Sequence, residues 1–277
     1  MRDVVAAELN ALSAPDGPLS AYSDRSTTSL YAADVGRYAF RRQLIEQYRE
    51  RDGLYPDGGA AIITAGAPGA GKSTLRDSQV NNLADYRIID ADKVKDALIQ
   101  QALSDDIYAD RLATQLADGH KIAPRELAAL VHRESVAVTE QARSRCVDRR
   151  ENIVVEGTLA WQEQGPALFE EFATAGYSSL RVFAVEADRK LAHEQALRRW
   201  WTGRSQFTCG ADALGGRFIP AESIDACYAG GEMSLCSEHA IKLIDVAQSG
   251  RIAHVHVTVF RPTGENAFEA VVDLEYP

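Results

Sequence analysis

The sequence predicts a mixed α/β fold: a mostly parallel sheet flanked by helices, with a C-terminal β-hairpin. Three observations carry this. Four short apolar runs, at 60–65, 86–90, 152–156 and 180–185, lack polar alternation, as strands buried on both faces of a parallel sheet do. Segments of helical period separate them, so strands and helices alternate along the chain. Near the end, residues 252–260 and 268–276 alternate apolar and polar side chains around a connecting loop at 261–266, the pattern of a hairpin.

The elements follow in order. Residues 3–12 suit a short helix, and 13–28, rich in Ser, Thr, Pro, Gly and Asp, read as a loop. Between 29 and 51, Leu30, Val35, Tyr38, Leu44, Ile45 and Tyr48 recur at helical spacing, and Asp52-Gly53 is a stop signal. A turn at 56–59 leads into the first strand, and a helix starts at Lys72. Residues 92–103 put Val94, Ala97, Leu98 and Leu103 on one helical face. Pro124 suits the first turn of a long helix reaching Arg149. Helices at 162–175 and 188–201 flank the fourth strand. Residues 202–221, with four glycines and a proline, read as a mobile loop, followed by helices at 221–229 and 237–247.

A chain of 277 residues accommodates one large domain with an extension; residues 1–28 read as the extension and 29–277 as the domain. Hydrophobic content of 45% and charged content of 25% supply a core and exclude fibrous or disordered classes. A net charge of -10 repels phosphate backbones, so no nucleic-acid partner is expected. Cys146, Cys209, Cys227 and Cys236 form no C-x-x-C pair and have no His at metal-ligand spacing, so reduced thiols are expected. The N-terminus lacks a secretory h-region and no apolar run is long enough for a bilayer, so a soluble, cytoplasmic protein is expected, with no membrane partner.

The sharpest motif is Gly66-Ala67-Pro68-Gly69-Ala70-Gly71-Lys72-Ser73, which fits G-x-x-x-x-G-K-[ST] without mismatch, between a strand and a helix. Glycines let successive N–H groups turn inward onto phosphate oxygens, and the helix that follows adds its positive end. Lys72 would reach the β- and γ-phosphates, the Ser73 hydroxyl would be a Mg²⁺ ligand, and Thr74 continues the phosphate-binding turn. The fold is thus of P-loop NTPase type, and the expected cofactors are ATP, or GTP as phosphoryl donor, with Mg²⁺.

Acidic residues surround this loop. Asp90 and Asp92 end the second strand and Glu156 ends the third, and ligands of open α/β sheets bind at such strand ends. Of Asp90 and Asp92, one suits the Mg²⁺ water shell and the other a base for an acceptor hydroxyl. A helix N-cap is the simpler reading of Asp92. Glu156 needs a partner, with Lys72 or a metal-bound water available. Late in the chain, Arg198, Arg199, Arg204 and Arg217 could stabilise charge on a transferred phosphoryl group, or lie on a solvated face. Arg217, in Gly215-Gly216-Arg217, is the best candidate because glycines permit movement. Trp200 and Trp201 read as packing residues.

The set formed by residues 66–74, Ile88-Ile89-Asp90-Ala91-Asp92, Thr139-Glu140, Val155-Glu156-Gly157-Thr158, Arg199-Trp200 and Arg217-Phe218-Ile219-Pro220 resembles the zeta toxin family over residues 30–277. Members of that family are ATP-dependent kinases of UDP-N-acetylglucosamine that phosphorylate the sugar 3′-hydroxyl. The resemblance implies Lys72 and Ser73 on the phosphates and Mg²⁺, and Asp92 as general base. It implies Glu140 and Thr158 on the nucleotide sugar, Glu156 beside the phosphates, and Arg199 and Arg217 on the transferred group. It further implies a small helical antitoxin as partner, a part that residues 1–28 could play in cis. Two other readings stand beside it. One is a P-loop kinase acting on another nucleotide sugar, a nucleoside or an antibiotic; the other is a nucleotide-gated interaction protein that does not need Asp92 or Arg217.

Overall fold

A computed structural model describes residues 1–49, 58–229, 231–264 and 266–277. The helix stop expected at Asp52-Gly53 and the first half of the 56–59 turn lie outside the described residues. In chain order the elements are α1 (Arg2–Leu12), α2 (Thr27–Leu30), α3 (Val35–Arg49), β1 (Ala60–Ala65), α4 (Lys72–Gln79), β2 (Arg87–Ile89), α5 (Ala91–Ser104) and α6 (Ala109–Leu112). Then come α7 (His132–Asp148), β3 (Ile153–Glu156), α8 (Gln164–Thr174), β4 (Ser179–Val185), α9 (Arg189–Thr208), α10 (Ala221–Asp225), α11 (Leu235–Ala247), β5 (His254–Gly264) and β6 (Ala267–Tyr276). Residues 1–48, 91–141 and 194–221 form one compact unit, and residues 49–90, 142–193 and 222–277 form another.

The second unit is built on a six-stranded sheet of order β2-β3-β1-β4-β5-β6, parallel except for the antiparallel β5–β6 pair. The expected α/β architecture is therefore present. β1 sits in the middle: Ile62 and Ile63 are buried on opposite faces because period-2 alternation leaves neither face to solvent. Val154 of β3 and Val182 of β4 continue the buried layer. α8 and α11 pack together, closely enough that a Cβ on Gly165 would touch Leu243. The hairpin is longer than the sequence suggested: β5 runs to Gly264 and β6 starts at Ala267. Asn266 supports this tight reversal with φ 59, a left-handed conformation that Asn tolerates well.

The first unit is helical. Its apolar cluster gathers Val5, Leu9 and Leu19 with Tyr108, Leu127, Trp200 and Phe218. Residues 1–28 thus contribute side chains to this core, while 13–26 run as turns. Three expectations change here. The helix expected over 29–51 is split into α2 and α3, because the Asp34 carboxylate accepts the Arg37 amide at 2.9 Å and starts a new helix. Leu30, Val35 and Tyr38 are consequently exposed, and the buried pair is Leu44 and Ile45.

The long helix expected from Pro124 is likewise broken. Residues 124–127 form one 3₁₀ turn, and α7 begins only at His132. Glu126 explains the break. Its carboxylate turns inward, accepts the Ala123 amide at 2.8 Å, and takes Trp200 Nε1 at 2.8 Å together with Arg204 Nη1.

The segment 202–221 is not a loop throughout, since α9 continues to Thr208. Gly203 belongs to that helix because it meets Gly216: a Cβ on Gly203 would lie 2.5 Å from the Gly216 Cα. Arg204 is buried and paired with Glu126 and Asp118, which makes it a structural cation rather than a lid arginine. All four cysteines are unbridged.

Candidate active site

The phosphate loop grows out of β1. Gly66 follows the strand with φ 141, and its amide donates to the Thr158 carbonyl at 3.0 Å, tying the loop to the segment after β3. A Cβ on Gly66 would stand 2.9 Å from the Val185 carbonyl oxygen, so glycine is required by both conformation and space. Gly69 and Gly71 take φ 84 and 97, and α4 starts at Lys72. The amides of Lys72, Ser73 and Thr74 lie in the first turn, where a helix offers no internal acceptor. Ser73 and Thr74 are exposed, and Lys72 Nζ donates to the carbonyls of Gly66 at 2.8 Å and Ala67 at 3.0 Å. Ala67 and Ala70 are buried and Pro68 is half-buried, which fixes the back of the loop. A cradle of positive-φ glycines, a helix N-terminus and a lysine fits a di- or triphosphate.

Among the described residues no group of three His, Cys, Asp or Glu side chains could hold a metal by itself. Mg²⁺ ordinarily takes one or two side chains and completes its shell with phosphate and water. The Ser73 hydroxyl, with half-buried Asp90 directly after β2, suits that sparse donor set. Glu156 stands in register with Thr64 near the end of β1 and pairs with Arg76 of α4. Arg76, one helical turn beyond Lys72, is thus a partner that the sequence reading, which offered Lys72 or a metal-bound water, did not name. Thr158 is half-buried, and its Oγ1 accepts the Ala160 amide at 3.2 Å.

A second constellation lies in the helical unit. Asp92 falls inside the first turn of α5, which begins at Ala91, so it is not the residue preceding the helix that the N-cap reading required. Arg217 Nη1 lies 2.7 Å from Asp92 Oδ2, and Lys95 Nζ lies 3.1 Å from Oδ1. Arg217 Nη2 donates to the Asp92 carbonyl at 3.0 Å and to Asp96 Oδ1 at 2.7 Å. Burial pushes the Asp92 carboxyl up, but Lys95, then Arg217, and also Arg199 outweigh it and hold the group below its ordinary value. Arg199 is exposed on α9, and so is Arg198, whose charge acts on Glu194. Glu140 is exposed on α7.

The glycines before Arg217 serve packing rather than movement. A Cβ on Gly216 would fall 2.0 Å from the Trp200 carbonyl oxygen, and one on Gly215 would fall 2.7 Å from the Ala123 Cβ. Sequence reasoning passed over Arg76, Lys95, Asp96 and Arg125. The available signal was helical spacing: Arg76 is four residues after Lys72, and Lys95 and Asp96 are three and four after Asp92.

No helix among the described residues is long and apolar enough to cross a membrane. No curated protein matches the chain. A solved structure from the PezAT chromosomal toxin–antitoxin system of Streptococcus pneumoniae is 13% identical, with a TM-score of 0.52, covering 87% of this chain and 81% of that one. That likeness concerns the fold. The sequence model of the zeta toxin family matches residues 45–260 and so spans the phosphate loop, Asp92, Glu156 and Arg217. The chain belongs to the zeta toxin family, P-loop kinase-type phosphotransferases that act as toxins of toxin–antitoxin systems.

Proposed function

We propose that this protein transfers the terminal phosphoryl group of ATP, or of GTP, to the sugar 3′-hydroxyl of UDP-N-acetylglucosamine, with Asp92 as general base. The observation that carries this reading is the Asp92–Arg217 pair: a carboxylate held ionised at 2.7 Å from an arginine, in a chain with an intact phosphate loop. An ionised carboxylate can take a hydroxyl proton, and a guanidinium can receive charge from a phosphoryl group in transfer.

Residues 66–74 bind the donor phosphates through loop amides and Lys72, which exchanges the carbonyls of Gly66 and Ala67 for phosphate oxygens. Ser73 and Asp90 would hold Mg²⁺, which supplies charge neutralisation to the β- and γ-phosphates. Glu156, through Arg76 in the last turn of α4, ties that helix to the end of β3 and sets the charge beside the phosphates. Glu140 and Thr158 contact the nucleotide sugar, and Arg199 and Arg217 receive the transferred group. The acceptor oxygen forms a bond to the γ-phosphorus, the bond to the leaving diphosphate breaks, and the hydroxyl proton passes to Asp92. The partner is a small helical antitoxin, a reading supported by the likeness to a structure from a toxin–antitoxin system. In the cis alternative, residues 1–28 take that part, although Val5, Leu9 and Leu19 also serve the core, so deleting them perturbs folding as well.

The test is incubation of the protein with Mg²⁺·ATP and a panel of UDP-sugars, following ADP release and product mass. One phosphoryl gain on UDP-N-acetylglucosamine is expected, and Asp92→Asn should lower kcat by roughly 10²- to 10⁴-fold while leaving ATP binding intact. Phosphorylation of a different acceptor would replace the substrate, and a fully active Asp92→Asn enzyme would overturn the base.

A further inference from the structure

Arg217 touches two carboxylates of the same helix, and each of its terminal nitrogens has a different partner. Nη1 meets Asp92 Oδ2 at 2.7 Å, whereas Nη2 meets Asp96 Oδ1 at 2.7 Å and the Asp92 carbonyl at 3.0 Å. Asp92 and Asp96 are one helical turn apart, so a single guanidinium can span both. Asp96 is itself braced. Arg125 Nε reaches its Oδ1 and Arg125 Nη2 its Oδ2, both at 3.0 Å, in a fork-on-carboxylate arrangement. Arg125 is anchored in turn: Nη1 donates to Asp212 Oδ2 at 3.0 Å and to the Gly215 carbonyl at 2.9 Å, and its amide donates to the Leu214 carbonyl at 2.8 Å.

This arrangement answers a difficulty in the reading of Asp92 as base, on which the inference rests. With Arg217 on Oδ2 and Lys95 on Oδ1, both oxygens of Asp92 are engaged. To accept a proton the carboxylate must give up one of these bonds, and Nη1 is the arm whose release also supplies a donor to the phosphoryl group. A long arginine side chain freed from its only carboxylate would regain rotamer freedom and lose alignment. The second carboxylate prevents that.

We propose that Asp96 is the positioning residue of the reaction: it anchors Arg217 through Nη2 so that Nη1 passes from Asp92 to the transferred phosphoryl group while the guanidinium stays in place. Asp96 touches neither substrate nor the reacting atoms. Arg125 holds Asp96 in this orientation and joins it to the segment that leads into Arg217. Among the described residues, other charged and titratable groups facing Asp92 include Lys95 on α5, Arg199 on α9 and His132 at the start of α7.

The test compares wild type, Asp96→Asn and Asp96→Glu in full-length protein, with steady-state kinetics and ¹⁵N NMR of the Arg217 guanidinium. In Asp96→Asn, kcat should fall roughly 10- to 100-fold, the cost of a misaligned group. KM for ATP should stay within about two-fold of wild type, because the phosphate loop is untouched. The Arg217 guanidinium should show faster side-chain motion once its Nη2 anchor is gone, and Asp96→Glu should restore most of kcat. A lowered melting temperature with unchanged kcat and unchanged Arg217 motion would reduce Asp96 to a structural brace and overturn the proposal. If Asp96→Asn fails to fold, Arg125→Gln keeps the Asp96–Arg217 pair and removes its brace, together with the bonds to Asp212 and the Gly215 carbonyl. A kcat reduction of several-fold is then expected, and an unchanged kcat refutes the inference. If wild type transfers no phosphoryl group to any acceptor, the kinase reading fails by itself, and the motion of Arg217 in Asp96→Asn alone decides whether Asp96 anchors the arginine.

Discussion

Replacing Gly203 by alanine opposes two effects of known size. Gly203 lies within α9, and alanine in a helix interior is favoured over glycine by about 1 kcal/mol. The new methyl would stand 2.5 Å from the Gly216 Cα and 2.7 Å from the Gly216 nitrogen, both backbone atoms that no rotamer change can remove. Overpacking of this kind costs about 1–3 kcal/mol, and the upper end applies where backbone must move. The net expectation is a loss of about 1–2 kcal/mol, a fall of roughly 2–4 °C in melting temperature per kcal/mol lost. The displacement has a chemical consequence. Restoring ordinary contact requires Gly216 to retreat by roughly 1 Å, carrying Arg217 with it, and such a misplacement costs on the order of 10²-fold in rate. Thermal unfolding and kcat should therefore fall together in Gly203→Ala. A melting temperature that rises by the helix-propensity gain, with kcat unchanged, would refute the close-approach argument.

Further outcomes follow from the charges. Arg37 and Glu134 form a fully buried pair joined at 2.7 and 2.8 Å, so Arg37→Ala should cost about 3–5 kcal/mol in denaturant titration, whereas a loss below 1 kcal/mol would show the site to be wet. Burial pushes the Glu134 carboxyl up, but hydrogen bonds from Arg37, Thr27 and Arg41 outweigh it and lower its pKa from 4.5. A depressed folded-state pKa contributes stability that is complete above pH 4.5 and lost as pH falls through the folded value. Stability below pH 4.5 should thus depend on pH less steeply in Glu134→Gln than in wild type, and equal slopes in acid titrations would contradict this. The Asp92 carboxyl is held below its ordinary 3.8, so kcat/KM should show no Asp92 limb between about pH 5 and 7; an acid limb near pH 6 removed by Asp92→Asn would contradict the pairing. Lys72→Ala should abolish the ATP-dependent rise in melting temperature, which for wild type at a hundred times Kd corresponds to about 2.7 kcal/mol.

The sheet was largely legible because strands covered on both faces cannot hide their composition: 60–65 and 180–185 are apolar but for Thr64 and Arg181, and each became a strand. The phosphate loop was legible because its glycines answer to local conformation, which sequence carries directly. The helical unit was harder. Its boundaries are set by side chains that meet across long separations in sequence, such as Glu126 with Trp200 and Arg204, and no local pattern announces an inward-turned carboxylate. Gly203 and Gly215-Gly216 read as loop residues for the same reason, since a glycine needed for close approach looks like one needed for a turn. Asp92 and Arg217 stood out as single residues, but the identity of their neighbours, Lys95, Asp96 and Arg125, required the helix register and the path of the loop.

The central place of β1 bears on how the protein is made. Ala61 pairs with Ile153 on one side and Leu180 on the other, so the strand that launches the phosphate loop has neither neighbour until much later sequence has left the ribosome. Parallel pairing at such separations closes slowly. A nascent chain that already displays Gly66–Ser73 therefore has no sheet on which to set those amides. A finished phosphate loop thus waits for β4, more than a hundred residues after the loop itself has been made.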